Sequence, residues 1–283
     1  MQIPTGFALL NSDGAAGLRS LPQGTVKLVY GSPPYPNAVR DYGVWPSDMF
    51  VNFMAPFING AISALSADGF LVLSLKACRD AAHGKYSCST RSLVVEHLAC
   101  LLVDRWGFNC VDIEIWVKQN PVPTGLRCAA LDAYEQILWF SKASRWEVHL
   151  DRIRRPYALS SLKTYQTATY KPRTNGLTYV RHDKTIAPND RGAMAKNVVV
   201  GPVASGRSGH QARQPGYLAQ RYILACTNEH DVVVDPWAGS GTTGIEALLQ
   251  GRRFVGFETS RESALGARDR LSEAWRNMGG TAL

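Results

Sequence analysis

The sequence lacks the marks of a membrane span, a secretory leader and a metal centre. No apolar run approaches the roughly 18 residues that a membrane helix needs. Residues 1–6, Met-Gln-Ile-Pro-Thr-Gly, carry no basic stretch or apolar core, so no signal peptide is expected. The six cysteines (78, 88, 100, 110, 128 and 226) form no Cys-x-x-Cys pair and have no histidine at zinc spacing. They are expected to be free buried thiols in a reducing cytoplasm, with no metal. There is no internal repeat and no low-complexity segment.

What is present describes a globular protein. With 283 residues, 45% hydrophobic and 19% charged, the chain can bury one large core, or a core with a smaller module. The net charge of +8 is unevenly spread. Residues 141–210 hold 13 Lys/Arg against 4 Asp/Glu, a local +9, whereas the remainder is near −1. Such concentration points to a polyanionic partner, and nucleic acid is expected.

The chain is organised around residues 26–35, Val-Lys-Leu-Val-Tyr-Gly-Ser-Pro-Pro-Tyr. The first half reads as a buried strand. Two prolines then fix φ near about −65° and supply no N–H, so the chain leaves the sheet as a rigid platform. Ser32 offers a hydroxyl and Tyr35 an aromatic face, at the strand end where open α/β sheets place ligands.

Around it, residues 7–10 predict a strand and 14–21 a short helix. Residues 36–46 predict a covering loop, and 47–65 a helix stopped by Asp68-Gly69. Residues 70–75 follow as a strand. A helix capped by Ser89 or Thr90 carries His97 on its apolar stripe, a packed core histidine. Residues 112–118 and 134–140 alternate like half-buried strands and are expected to pair antiparallel at one sheet edge. Periodicity fades over 143–208. It returns with a helix from Gly216, a strand over 231–235, a glycine-rich turn, a helix to Leu249, a strand ending at Glu258, and a helix capped by Ser260.

Gly239-Ser-Gly241-Thr-Thr-Gly244, with Glu258 nineteen residues beyond Gly239, satisfies a dinucleotide fingerprint. An NAD-dependent oxidoreductase is therefore a competing reading. Only 25 residues follow Glu258, too few for a second mononucleotide-binding half, and Asp235 would repel a pyrophosphate. That reading also leaves Ser32-Pro-Pro-Tyr35 and the basic stretch unused.

Ser32-Pro33-Pro34-Tyr35 and Asp235-Pro-Trp237-Ala-Gly239-Ser-Gly241-Thr242-Thr together resemble the catalytic and cofactor motifs of the β-class S-adenosylmethionine-dependent DNA amino-methyltransferases. The second motif departs from the family pattern in Trp237, where phenylalanine is usual. The resemblance spans nearly the whole chain and matches the β order: catalytic motif, target-recognition segment, cofactor motif. It implies a Rossmann-like α/β fold with a mostly parallel seven-stranded sheet, an antiparallel edge hairpin and a loop-rich target-recognition insert. The parts are 1–142 (catalytic), 143–208 (insert) and 209–283 (cofactor-binding).

By the same resemblance the cofactor is S-adenosyl-L-methionine, held by Asp13, Pro215, Asp235, Trp237, Gly239, Gly241, Thr242 and Glu258. Asp13 matches the position that bonds the adenine amine, and Glu258 the one that accepts the ribose hydroxyls. Trp116-Val-Lys118 with Pro121 resembles the strand and loop beside the target base. His210 to Pro215 resembles a His-Pro-x-x-x-Pro stretch, with Gln211 in place of its first proline. Within the insert, Arg152, Arg154, Arg155, Lys163, Lys171, Arg173, Arg181 and Lys184 are candidates for phosphate contacts.

The implied reaction is methylation of an exocyclic amine on a flipped-out base of duplex DNA. Ser32 in the first motif position leans towards cytosine N4, with adenine N6 the alternative. A catalytically silent DNA-binding protein is the remaining alternative, against which the intact Ser32–Tyr35 stretch counts. The resemblance admits a homodimer and a restriction-modification partner, and implies a prokaryotic or phage protein of the cytoplasm, at the nucleoid through its DNA. No membrane partner is expected.

Overall fold

The structure, a computed structural model, describes residues 1–38, 46–80, 89–121, 129–167, 188–204 and 214–280, with the backbone alone for 164–167. Two compact units emerge: residues 1–148 with 197–283, and residues 149–196.

The larger unit is an α/β layered fold. Its strands are β1 (Phe7–Asn11), β2 (Val26–Gly31), β3 (Leu65–Leu75), β4 (Asn109–Lys118), β5 (Tyr134–Ser141), β6 (Val198–Gly201), β7 (Val232–Asp235) and β8 (Arg253–Glu258). They form one sheet in the order β1-β8-β7-β2-β3-β5-β4-β6. Only β5 runs against the others. The central strands β2 and β7 are almost wholly buried, Val-rich runs, as strands covered on both faces must be.

Helices α1 (Gly14–Ser20), α2 (Phe50–Ala64) and α3 (Val94–Asp104) bury Leu18, Met54, Ile58 and Leu98 with Val29, Leu71 and Leu138 of one sheet face. In the smaller unit, residues 149–196, lies the helix α4 (Leu159–Thr167). Against the other sheet face lies α5 (Gly216–Cys226), where Tyr222 stacks on Tyr30 at 5.9 Å between ring centroids. Helices α6 (Thr242–Leu249) and α7 (Arg261–Asn277) complete that layer, and Ser260 caps α7 as its position predicts.

The sheet has eight strands among the described residues, one more than expected. Strands β4 and β5 pair antiparallel as read, but β6 pairs parallel with β4 and takes the edge. The chain therefore re-enters the sheet at Val198, ten residues before the expected boundary at 208. Helix α2 also ends earlier than Asp68-Gly69 would place it. Leu65 is fully buried and already paired with Val26, while Leu28 pairs with Phe70. The three extra residues bulge outward, where Asp68 meets Lys27 at 2.5 Å.

Helix α3 starts at Val94 without a side-chain cap, not at Ser89 or Thr90. Residues 90–92 are instead bonded to 78–80: Asp80 N–H donates to Thr90 O and Ser92 N–H to Cys78 O. The buried face of α3 is Val94, Val95, Leu98, Ala99 and Leu102, so His97 is exposed and not a core residue. Cys78 and Cys226 are buried free thiols, but Cys100 and Cys110 are exposed. Cys88 and Cys128 lie outside the described residues, as do positions 39–45 of the expected covering loop.

Besides α4, the smaller unit contains a 3-10 turn at Leu150–Ile153. Arg155 and Ala193 exchange two backbone hydrogen bonds, and Tyr157 Oη accepts from Asn189 N–H at 2.9 Å. Arg154 is committed inside this unit, donating to Asp151 at 2.6 Å and to Gly192 O at 2.9 Å.

Candidate active site

The two motifs stand at the same edge of the sheet because their strands are neighbours. Leu28 and Val29 of β2 pair with Val233 and Val234 of β7. At the end of β2, Gly31 permits a close approach. A Cβ there would come within 2.9 Å of Asp235 Oδ1 and 2.8 Å of the Trp237 ring. Ser32, Pro34 and Tyr35 are half-buried and Pro33 is buried.

After β7 the chain turns through Gly239 (φ +50°) and Gly241 (φ +76°), left-handed conformations that favour glycine. Asp235 builds this turn. Its Oδ1 accepts from Trp237 N–H at 3.0 Å and its Oδ2 from Thr243 Oγ1 at 2.6 Å. Burial, partly offset by these bonds, pushes its carboxyl up to about 6. Trp237 packs against Phe57 with centroids 4.7 Å apart, half-buried against the core.

Glu258, at the end of β8, accepts from Gly239 N–H at 2.9 Å and from Ser260 N–H at 2.8 Å. Asp13 lies beyond β1 and caps α1 through Ala16 N–H at 2.8 Å. Pro215 and Thr242 line a cleft of about 400 Å³ with Gln214, Gly216 and Glu246. Burial raises the Glu246 carboxyl above its ordinary range. Thus Asp13, Asp235, Trp237, Gly239, Gly241 and Glu258 gather around the ends of β1, β7 and β8, beside the platform.

Several residues around the platform carry no motif. Tyr35 Oη donates to Glu135 at 2.7 Å and accepts from Ser32 Oγ at 3.1 Å. Glu135 also accepts from Ser74 at 3.2 Å and pairs with Lys118 at 2.6 Å. It reaches this edge because β5 begins where β2, β3 and β4 end. Opposite charges at Lys118 and Glu135, flanking one hairpin, are the available sequence signal. Deeper in the sheet, Glu114 accepts both a bidentate pair from Arg221 at 2.9 Å and the Tyr222 hydroxyl at 2.6 Å. Tyr30 donates to Gln214 at 2.8 Å, and the buried Gln214 Nε2 has no protein partner.

Of the residues expected at DNA, Arg152, Arg155 and Lys163 are exposed in the smaller unit and Arg154 is half-buried there. Lys171, Arg173, Arg181 and Lys184 lie outside the described residues, as do His210 and Gln211. No helix among the described residues is long and apolar enough to cross a membrane.

A parallel sheet whose adjacent strand ends carry a Pro-Pro platform and a glycine turn defines a Rossmann-like methyltransferase fold. The chain matches the DNA methylase family model over residues 26–268, and it belongs to that family. It is 31% identical over 176 residues to the Type II methyltransferase M2.DpnII of Streptococcus pneumoniae, covering 60% of this chain and 54% of that protein. The chain thus spans about half the length of that relative. It is 26% identical over 272 residues to the DNA adenine methyltransferase YhdJ of Escherichia coli K12, covering 92% and 82%.

Among solved structures, the cytosine-N4-specific PvuII DNA methyltransferase superposes with a TM-score of 0.70 at 18% identity, covering 99% of this chain and 95% of that one. A DNA modification methylase of Thermus thermophilus, complexed with S-adenosyl-L-methionine, superposes with a TM-score of 0.61 at 21% identity, covering 95% and 94%. The oxidoreductase reading of the glycine turn gives way to the family assignment.

Proposed function

We propose that this protein transfers a methyl group from S-adenosyl-L-methionine to the exocyclic N4 of a flipped-out cytosine in duplex DNA. The observation that carries this is the adjacency of β2 and β7, which sets the Ser32–Tyr35 platform beside the turn at Gly239–Gly241.

The edge suits such a cofactor chemically. Glu258 and Asp13 offer carboxylate lone pairs for ribose hydroxyls and an adenine amine. Their present hydrogen bonds leave acceptor capacity, since each carboxylate oxygen has two lone pairs. Gln214 Nε2 is a buried donor awaiting an acceptor. The glycine turn lets backbone approach a ligand without a Cβ in the way. When bound, S-adenosyl-L-methionine supplies an electrophilic methyl on a sulfonium.

The platform orients the nucleophile. An exocyclic amine on a base is poor because its lone pair is delocalised into the ring. Ser32 Oγ and the Pro33 carbonyl can each accept one of its N–H bonds, so that the nitrogen turns pyramidal and directs its lone pair outward. No strong base is needed, because the methylated nitrogen is acidic and sheds its proton readily. Tyr35 offers its ring face to the flipped base. Arg152, Arg155 and Lys163 are the described candidates for phosphate contacts, and Lys171, Arg173, Arg181 and Lys184 remain candidates from sequence.

Cytosine is favoured by Ser32 in the first motif position and by the likeness to the cytosine-N4-specific PvuII enzyme. The adenine methyltransferase YhdJ supports adenine N6 as the second reading. A restriction-modification role in the bacterial or phage cytoplasm follows from the Type II relatives, and sedimentation would reveal a homodimer. The deciding experiment expresses the chain in a host without DNA methylation and digests the genome to nucleosides. N4-methylcytosine is expected. N6-methyladenine would overturn the base, and neither product from soluble, cofactor-binding protein would overturn the transfer.

A further inference from the structure

The platform is wired to a carboxylate that belongs to neither motif. Glu135 is 3% exposed and receives three donors: Tyr35 Oη, Ser74 Oγ and Lys118 Nζ. An ionised carboxylate only accepts hydrogen bonds. Tyr35 has a single phenolic hydrogen, and it is spent on Glu135. The 3.1 Å contact between Ser32 Oγ and Tyr35 Oη must therefore use the serine hydrogen. Ser32 is left with lone pairs alone to offer a ligand.

We propose that Glu135, with Lys118 as its counter-ion, sets the polarity of Ser32 through Tyr35, so that Ser32 can accept from the target amine but cannot donate to it. This rests on the amino-methyltransfer reading above. Glu135 and Lys118 are positioning residues, acting on the reacting atoms only through Tyr35 and Ser32. The polarity matters because a serine hydroxyl rotates freely. Pointed at the amine, its hydrogen would occupy the lone pair that must attack carbon. A chain of hydrogen bonds ending on a carboxylate fixes the rotor and strengthens Ser32 Oγ as an acceptor. Burial first, and the Glu135 charge second, hold the Tyr35 phenol well above its ordinary range, so it stays a donor at neutral pH.

The test is Tyr35→Phe, which keeps the aromatic face and removes only the hydroxyl, made in two backgrounds. With Ser32, kcat is expected to fall about tenfold, with the KM for DNA and the cofactor Kd unchanged. With Ser32→Asp, whose carboxylate has no hydrogen to misdirect, the same change is expected to leave kcat unaltered. An unaltered kcat in the first background, or equal losses in both, would overturn the proposal.

If the aspartate variant is too slow to measure, a double-mutant cycle decides. Glu135→Leu with Lys118→Met removes the ion pair without stranding a charge. It should lower kcat by the factor seen for Tyr35→Phe and add nothing to it when the two are combined. Losses that multiply would overturn the proposal. Absence of transfer by the unaltered chain would remove the reading and the proposal together, whereas a fully active Tyr35→Phe would remove the proposal alone.

Discussion

The two turns that leave β2 and β7 lie side by side, yet they use their polar groups in opposite ways. At the glycine turn the carboxylates of Asp235 and Glu258 accept backbone N–H groups of Trp237, Gly239 and Ser260, so side chains shape main chain. At the platform, prolines remove the N–H groups, and side chains bond one another: Ser32 to Tyr35, Tyr35 to Glu135. One turn is moulded to receive a ligand's shape. The other aims a single hydroxyl.

That contrast should be breakable from either side. The largest effect is expected from Ser32→Ala, which removes the aimed acceptor. We expect kcat to fall by about 100- to 1,000-fold with cofactor affinity retained, by analogy with loss of one oriented polar group at a reacting centre. Single-turnover kinetics and calorimetric titration of the cofactor measure the two halves. Asp235→Ala should invert the pattern. It leaves the Trp237 N–H and the Thr243 hydroxyl without their partner, and cofactor affinity should drop about 100-fold in the same titration.

The buried carboxylate also gives the glycine turn a pH signature. The Asp235 carboxyl is raised from 3.8 to about 6 on folding. The unfolded chain therefore releases this proton first as pH rises. Stability from this group is fully present below pH 3.8 and is lost as pH climbs through about 6. The total is about 3 kcal/mol. Asp235→Asn should lack this fall, so urea unfolding of both proteins between about pH 4 and 7 should give a difference that grows with pH. A flat difference would contradict the burial argument.

Smaller changes sharpen the contact between the two turns. Gly31→Ala inserts a methyl 2.8 Å from the Trp237 ring and 2.9 Å from Asp235. Thermal unfolding should show a loss of about 1–3 kcal/mol, with turnover reduced as the turns separate. Glu258→Gln keeps the side chain's shape but exchanges one acceptor oxygen for a donor nitrogen. Cofactor affinity should weaken about tenfold in calorimetry, with kcat at saturation unchanged.

The parts of this site that are legible in sequence are those written in consecutive residues. Ser32–Tyr35 and Asp235–Thr242 announce a platform and a turn because proline and glycine act locally on the backbone. Buried strands with uninterrupted valines are equally plain. Glu135 is not legible, because its partners Tyr35, Ser74 and Lys118 are brought to it only by the antiparallel course of β5. The ion pair of Glu114 and Arg221 is hidden in the same way, 107 residues apart in the chain.

Strand β6 is hidden because four residues, Val-Val-Val-Gly, are too few to show a period within a stretch that otherwise reads as irregular. His97 departs from its expected core position for a different reason. A helix start at Val94 in place of Ser89 or Thr90 turns the buried face away from it. That start is set by pairing with residues 78–80, which no local pattern encodes.

The most direct test of the account combines purified protein, tritiated S-adenosyl-L-methionine and genomic DNA from a host without DNA methylation. Digestion to nucleosides and mass spectrometry identify the labelled base, with Ser32→Ala run alongside. The account predicts label in N4-methylcytosine from the unaltered protein and essentially none from Ser32→Ala. Label in N6-methyladenine, or equal label from Ser32→Ala, would contradict it.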